Sequence, residues 1–364
     1  MTRNSRRMLD EAKLTTAKDE RARRAESQAS PGPAQHSQEK PLSQIDLAFE
    51  RQHGELRAKA ERCYVEFRSR LVRYPVFENA MQAIECCHFV GRHMLVEPDC
   101  LLITGVSGSG KSTLREAYEA RYPKEELEDR TVIPVLGLEL PSQPTVKNVA
   151  ERILMTMKDP YADKGSAESK TARIITLFRE CRVEVVMLDE FQQFVDNSGE
   201  KVEYRVADWL KQLINATRVP FVLLGLPHCT SILEVNEQLR RRFLPRIHLD
   251  PFSLDRRNDL FTFVSLLKTL DERLPFNVPS AIGKPSCVEP MFYATYGLID
   301  FVMKIVSEAL RIALLGGHET VDMEILARSF KSIIWDRADK ETNPFSPAFV
   351  KRALTRRGEP FYGY

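Results

Sequence analysis

No apolar run among these 364 residues approaches the roughly 20 that a helix needs to span a bilayer. A membrane span is therefore not expected, and neither is a membrane partner. The charged N-terminus lacks the apolar segment of a secretory signal, so a cytoplasmic location is expected by elimination. The seven cysteines, Cys63, Cys86, Cys87, Cys100, Cys181, Cys229 and Cys287, are odd in number and contain no CxxC pair. That pattern speaks against a disulfide framework and for a reduced compartment. Cys86, Cys87, His88 and His93 lie close in sequence, yet adjacent cysteines seldom share one tetrahedral metal site. Two small buried thiols on a helix is the simpler reading. No internal repeat, zinc finger, helix-turn-helix or aromatic-rich stacking face stands out, which argues against sequence-specific recognition of nucleic acid. Charge of one sign is missing too: the net charge is only +2. It is unevenly placed, however. Residues 1–40 carry nine Lys/Arg against six Asp/Glu, or +3. Residues 346–364 carry Lys351, Arg352, Arg356 and Arg357 against Glu359, also +3. Such ends either touch nucleic acid or act as plain solubilising tails.

What the chain does contain is a glycine loop in a telling position. Gly105, Val106, Ser107, Gly108, Ser109, Gly110, Lys111 and Ser112 come after the apolar run Leu101–Thr104 and precede a helix-like segment from Thr113. Strand, glycine loop and helix in that order are what a phosphate-binding P-loop requires. Glycines let the backbone turn tightly with its N–H groups aimed at an anion, and the helix adds its positive end. Lys111 would reach the β- and γ-phosphates, Ser112 would hold Mg²⁺, and Gly105 to Thr113 would cradle ATP. A second run, Val185–Leu188, ends in Asp189 and Glu190. Carboxylates at the C-terminal end of a buried parallel strand sit where open α/β sheets bind ligands. Asp189 is the expected Mg²⁺ ligand, and Glu190 the group that polarises the attacking water.

Hydrophobic content of 43% and charged content of 29% are ordinary for a soluble chain of about two domains. Residues 1–44 are rich in Arg, Ala, Ser, Gln and Pro and read as a disordered basic tail. Residues 45–98 read as a helical segment, with Leu47, Phe49, Leu56, Cys63 and Phe67 on one face and Phe77, Ala80, Met81 and Ile84 repeating the spacing after the turn at Pro75. Residues 99–252 alternate strand and helix. Strands are expected at Leu101–Thr104, Val132–Glu139, Val185–Leu188 and Phe221–Gly225. Helices are expected at Ser112–Tyr122, Thr145–Met157, Lys170–Cys181 and Val202–Ala216. Alternation of this kind implies a parallel sheet covered on both faces. Residues 253–345 read as a helical lid, and residues 346–364 as a basic C-terminal tail.

Taken together, these residues resemble the TniB/TnsC group of AAA+ transposition ATPases, TniB most closely. The matches run in order from about Glu50 to Asp336. They are Arg73-Tyr74-Pro75, Ile133-Pro134-Val135, the loop Leu140-Pro141-Ser142-Gln143-Pro144-Thr145, and Asp189-Glu190-Phe191. Further on come Gln238-Leu239-Arg240-Arg241-Arg242-Phe243 with Pro245, and Tyr296-Gly297-Leu298-Ile299. The resemblance implies an α/β fold: a AAA+ P-loop NTPase with a parallel sheet, a helical N-terminal lead-in and a C-terminal helical lid. It implies an ATP- and Mg²⁺-dependent ATPase that oligomerises on target DNA as a ring or helical filament and recruits or activates a transposase. Hydrolysis is expected to be slow and dependent on assembly.

The same resemblance assigns further residues. Arg242, at the end of its helix, aligns with an arginine that reaches the neighbouring subunit's nucleotide. Lys147, Lys170 and Thr171 fall where the family's loops meet the phosphates of double-stranded DNA, contacts that do not read sequence. Two departures stand out. Leu226 occupies the place where many relatives have a Thr that senses the γ-phosphate, with His228 as a candidate substitute. Asp300 stands where initiator-type proteins carry a lid arginine. Two alternative readings are another DNA-associated AAA+ protein of the initiator or helicase-loader type, and a nucleotide-dependent protein scaffold with weak hydrolysis.

Overall fold

The computed structural model describes residues 44–93, 97–196 and 200–364. The expected N-terminal tail therefore lies, to residue 43, outside the described residues. The chain divides into two compact units, at Gly54 and Glu55. In the first unit the described residues are the opening turns of helix α1 (Gln44–Ser69), and all later elements belong to the second.

After α2 (Pro75–His93) the chain enters the sheet. Strands β1 (Leu101–Thr104), β4 (Val135–Glu139), β5 (Val185–Asp189), β6 (Phe221–Gly225) and β7 (Arg246–His248) form one five-stranded sheet. Its order is β4-β5-β6-β1-β7, and every pairing is parallel. Two short strands, β2 (Glu125–Glu126) and β3 (Thr131–Val132), make a separate antiparallel pair. Helices carry the crossovers: α3 (Lys111–Glu119), α4 (Val146–Thr156), α5 (Ala167–Glu180), α6 (Gln193–Asp196), α7 (Glu200–Thr217), α8 (Ser231–Glu234) and α9 (Glu237–Arg242).

All residues of β1, β5 and β6 are buried, as central parallel strands must be when helices cover both faces. The period of two then sorts their side chains. Leu101, Ile103, Val185, Met187, Val222 and Leu224 join Phe77, Met81, Ile84, Leu114 and Tyr118 of α2 and α3. Leu102, Val186, Leu188, Phe221 and Leu223 face Ile153, Phe178, Leu210 and Leu213 of α4, α5 and α7. Each such aliphatic side chain contributes roughly 1.5–3 kcal/mol relative to exposure.

Three differences from the sequence reading have physical causes. The single strand expected over Val132–Glu139 breaks at Pro134, which has no N–H to donate. Its carbonyl instead accepts from Glu184 and Val185. Strand β7 carries no apolar run because it is a short edge strand with Arg246 and His248 exposed. The third difference concerns residues 346–364. They pack rather than trail: Leu354 and Phe361 are fully buried, and Arg352 is clasped by Glu359 at 2.5 Å.

The lid consists of α10 (Arg257–Glu272), α11 (Pro285–Thr295), α12 (Ile299–Leu315) and α13 (Met323–Ile333). Its core of Phe263, Leu267, Met291, Ile305, Leu310 and Phe330 also takes in Phe67 and Val72 from the lead-in and Phe345 and Phe361 from the C-terminal segment. Lead-in and lid thus share one apolar core.

Candidate functional site

Because every strand of the sheet is parallel, the loop after β1 and the carboxylates at the end of β5 emerge at the same end of the sheet. Gly105 begins the loop, its N–H on the Gly225 carbonyl at 3.1 Å. A Cβ there would collide with Ser109 Oγ and the Leu249 carbonyl, so only glycine fits. Gly108 and Gly110 have φ of 76° and 95°, the left-handed region that other residues enter at a cost. Gly110 is also the N-cap of α3. The loop therefore ends directly on a helix N-terminus, where unpaired N–H groups favour an anion.

Lys111 is 6% exposed, and its Nζ donates to the Gly105 and Val106 carbonyls at 2.8 and 3.0 Å. Burial pushes its pKa down, while the nearby carboxylates of Glu190 and Asp189 push it up. Strands β1 and β5 flank β6, and the Gly105 and Phe191 N–H groups bond the Gly225 and Leu224 carbonyls at its end, which puts Lys111, Asp189 and Glu190 at the same end of the sheet. Ser112 and Thr113 lie exposed on the first turn of α3. Asp189 is 1% exposed; its Oδ1 accepts from the Glu190 N–H at 2.9 Å, and its Oδ2 lies 3.5 Å from Arg115 Nε. Glu190 itself has φ 58°. Its carboxylate accepts from Gln192 Nε2 at 2.6 Å.

A cavity of about 470 Å³ opens beside the loop, lined by Arg68, Tyr74, Gly110, Thr113, Ile299 and Asp300 among others. Lead-in, α3 and lid each supply a wall. The Tyr74 hydroxyl donates to the Ser109 carbonyl at 3.5 Å. Burial raises the phenol's pKa to about 12, so it stays a donor. From the lid, the Asp300 N–H reaches the Gly108 carbonyl at 3.3 Å. Gly297, at φ 69°, leaves no space for a Cβ against Phe252. The Asp300 carboxylate is paired with Lys304 at 2.6 Å and lies 4.0 Å from Arg68.

These residues fit a magnesium nucleotide. Gly105 admits no side chain, Gly108 and Gly110 hold the left-handed backbone of the loop, and the buried Ser109 Oγ has no partner among the described residues. A serine hydroxyl and a carboxylate are the hard oxygen donors that Mg²⁺ takes.

The other expected site residues fare differently. Arg242 is mostly buried; its guanidinium bonds Asn215 Oδ1 at 2.6 Å and pairs with Glu97. Desolvation lowers its pKa. It lines a cavity of about 760 Å³ with Lys211, Arg218 and Arg241, and Arg241 is exposed, paired with Glu237. Lys147 is exposed on the first turn of α4, which the Thr145–Asn148 capping box begins. Lys170 needs correction as a DNA contact. Lys170 is fully buried, its ammonium on Glu151 at 3.0 Å and on the Ala162 carbonyl. Thr171 is half-buried, donating to the Ala167 carbonyl and accepting from Trp209 Nε1. A lysine that staples a loop from within cannot also reach a phosphate.

His228 is held by Asp196 at 2.7 Å, and the Leu226 N–H is bonded to Gln192 Oε1 at 3.1 Å. Gln192 and Arg115 are the polar side chains of this site that sequence reasoning missed. No spacing rule marks them; each is found only by its contacts. His88 is taken up by Tyr118 and Glu184 at 2.9 and 2.6 Å, a structural staple. Of the adjacent thiols, Cys87 is buried and Cys86 exposed.

Residues 64–253, just over half of the chain, match the family model described as bacterial TniB protein. None of the curated proteins matches this chain. Among solved structures, Cdc6p from Pyrobaculum aerophilum is 16% identical with a TM-score of 0.54, covering 76% of this chain and 72% of its own. The Aeropyrum pernix ORC1 protein, solved in complex with DNA, is 17% identical with a TM-score of 0.53, covering 73% and 68%. The ORC2 protein of the same organism, solved in ADPNP–ADP complexes, is 15% identical with a TM-score of 0.51, covering 70% and 67%. At such identities the likeness is one of fold.

Proposed function

This chain belongs to the bacterial TniB family and has the AAA+ P-loop fold, and on that footing we propose that it is an ATP-dependent regulator of DNA transposition. In this reading it assembles on double-stranded target DNA in the cytoplasm and recruits or activates a transposase. The observation that carries the proposal is that β1, which leads to Lys111, and β5, which ends in Asp189 and Glu190, flank β6, with Gly105 and Phe191 both bonded to its end, and that a cleft walled by lead-in and lid opens beside the loop.

Each residue has a role set by its chemistry. The loop N–H groups from Gly105 to Thr113 and the Lys111 ammonium hold the phosphates. Lys111 now donates to two loop carbonyls, bonds that a phosphate would replace with charge-assisted ones. Ser112 and Asp189 would hold Mg²⁺, which when bound neutralises phosphate charge. Glu190 polarises the attacking water. Arg242 acts in trans on the neighbour's nucleotide, exchanging its bonds to Asn215 and Glu97 as the subunits meet. That requirement makes hydrolysis slow until assembly. Lys147 meets the DNA backbone.

Two features support self-assembly and DNA association over a protein-only scaffold: the arginine-lined cavity at the α9 edge and the exposed Lys147 on a capped helix. The test is fluorescence anisotropy with labelled duplexes of unrelated sequence, with and without ATP, over a salt series. The proposal expects ATP-dependent binding that is indifferent to sequence and falls steeply with salt, because bound counterions are released. Salt-insensitive binding, or none, would favour the scaffold reading.

A further inference from the structure

The turn after β5 contains a side chain whose role goes beyond that scheme. Gln192 is 4% exposed, and both ends of its amide are used. Nε2 donates to Glu190 Oε2 at 2.6 Å, and Oε1 accepts from the Leu226 N–H at 3.1 Å. One side chain thus spans from the carboxylate after β5 to the end of the neighbouring strand β6.

We infer that Gln192 is the positioning residue of Glu190, tying its carboxylate to the end of β6. The inference rests on the reading that Glu190 polarises the attacking water.

Four observations carry it. First, Glu190 sits at φ 58°, a left-handed conformation that a non-glycine residue keeps only when its surroundings impose it. Those surroundings include the Glu190 N–H on Asp189 and the Phe191 N–H on the Leu224 carbonyl at 2.9 Å. They fix the backbone but leave the carboxylate free to rotate. Among the described residues, Gln192 provides the hydrogen bond that the Glu190 carboxylate accepts.

Second, the chain makes room for the amide. A Cβ on Gly225 would lie 3.1 Å from Gln192 Oε1 and 3.2 Å from its backbone nitrogen. The glycine that ends β6 lets the turn approach this closely.

Third, the end of β6 offers no polar side chain of its own at Leu226. The connection from the end of β6 to the Glu190 carboxylate, as distinct from its backbone, therefore runs through the Gln192 amide. Finally, the amide is buried, where a hydrogen bond to a carboxylate is strong and directional and an unpaired one is costly. A neutral donor of this kind holds the carboxylate in place without neutralising it, which a lysine or arginine would do.

A residue that only completes the turn would affect folding or nucleotide affinity. A positioning residue affects turnover, and only while Glu190 is present. The experiment is single-turnover and steady-state hydrolysis of labelled ATP by the full chain with duplex DNA. It compares wild type, Glu190→Gln, Gln192→Leu, Gln192→Glu and the double variant Glu190→Gln/Gln192→Leu. Gln192→Glu keeps the size and the acceptor for Leu226 but loses the donor.

Both Gln192 variants are expected to lower kcat about ten-fold or more with KM for ATP within two-fold. That is part of the roughly 10²–10⁴-fold a positioned base contributes. In the Glu190→Gln background, Gln192→Leu should cause no further loss, the non-additivity of residues that act as a unit. Wild-type kcat in the Gln192 variants beside a slow Glu190→Gln overturns the inference alone. So does a loss confined to KM, or an additive loss in the double variant. Wild-type turnover in Glu190→Gln overturns the reading of Glu190, and the inference with it. If Gln192→Leu melts early, Gln192→Glu, of the same size, decides the outcome.

Discussion

Lys111 concentrates the chemistry of the site in one residue. Its ammonium is buried among carbonyls and near two carboxylates, so a phosphate that reaches it gains a charge-assisted bond where water competes poorly. Nucleotide that binds only the folded protein raises its melting temperature in proportion to the logarithm of ligand over Kd. Wild type should therefore melt several degrees higher in millimolar MgATP. Lys111→Ala should show a markedly smaller shift while melting normally without nucleotide, its ATP affinity down by at least ten-fold. An unchanged ATP-induced shift in the variant would remove the loop from the account. This residue was legible in the sequence because the loop imposes rigid demands. Glycines at φ 76° and 95° and a lysine at the helix start leave few alternatives. Gln192 and Arg115 were not legible, since what they touch depends on a strand far away in sequence.

Elements show the same division. β1, β5 and β6 could be read directly, because full burial on both faces forces an uninterrupted apolar run. β7 could not, since an edge strand tolerates Arg246 and His248 on its exposed side. Helix α5 misled in the opposite way: Lys170 reads as surface, yet its ammonium is a buried staple on Glu151 and the Ala162 carbonyl. The two lysines should thus separate cleanly. Lys147→Ala should weaken DNA binding and reduce the salt slope by about one, the signature of one lost phosphate contact. Lys170→Met should leave DNA affinity unchanged and lower stability by about 1–3 kcal/mol, as Glu151 and a carbonyl lose their partner. Salt titrations and chemical denaturation of both variants check this. A second staple is His88, which ties α2 to Tyr118 of α3 and to Glu184 ahead of β5. Burial, the largest effect, holds its pKa below the ordinary range; Glu184 and Glu85 raise it and Arg92 lowers it further. The unfolded chain therefore takes up a proton here more readily than the folded one. The stabilisation is complete above the ordinary pKa of about 6.5 and is lost as pH falls from there toward the folded value. Wild type should lose more melting temperature than His88→Gln between pH 7.5 and 5.5. Equal losses would contradict this reading.

At the scale of the molecule, a sheet with its P-loop edge meets a helical lid that shares its core with the lead-in. The Asp300 N–H on Gly108 and the Tyr74 hydroxyl on Ser109 let lid and lead-in both touch the loop. Nucleotide in the cleft would then bias the relative placement of all three walls. In the proposed assembly, such a bias would let binding in one subunit favour docking of the next at the cavity lined by Arg218, Arg241 and Arg242. The most direct measurement is electron microscopy of the full chain with duplex DNA of unrelated sequence, in a slowly hydrolysed ATP analogue or in ADP. The account predicts ordered rings or filaments on the DNA with the analogue and their dispersal with ADP. Bare DNA with the analogue at low salt, or identical assemblies without nucleotide, would contradict it.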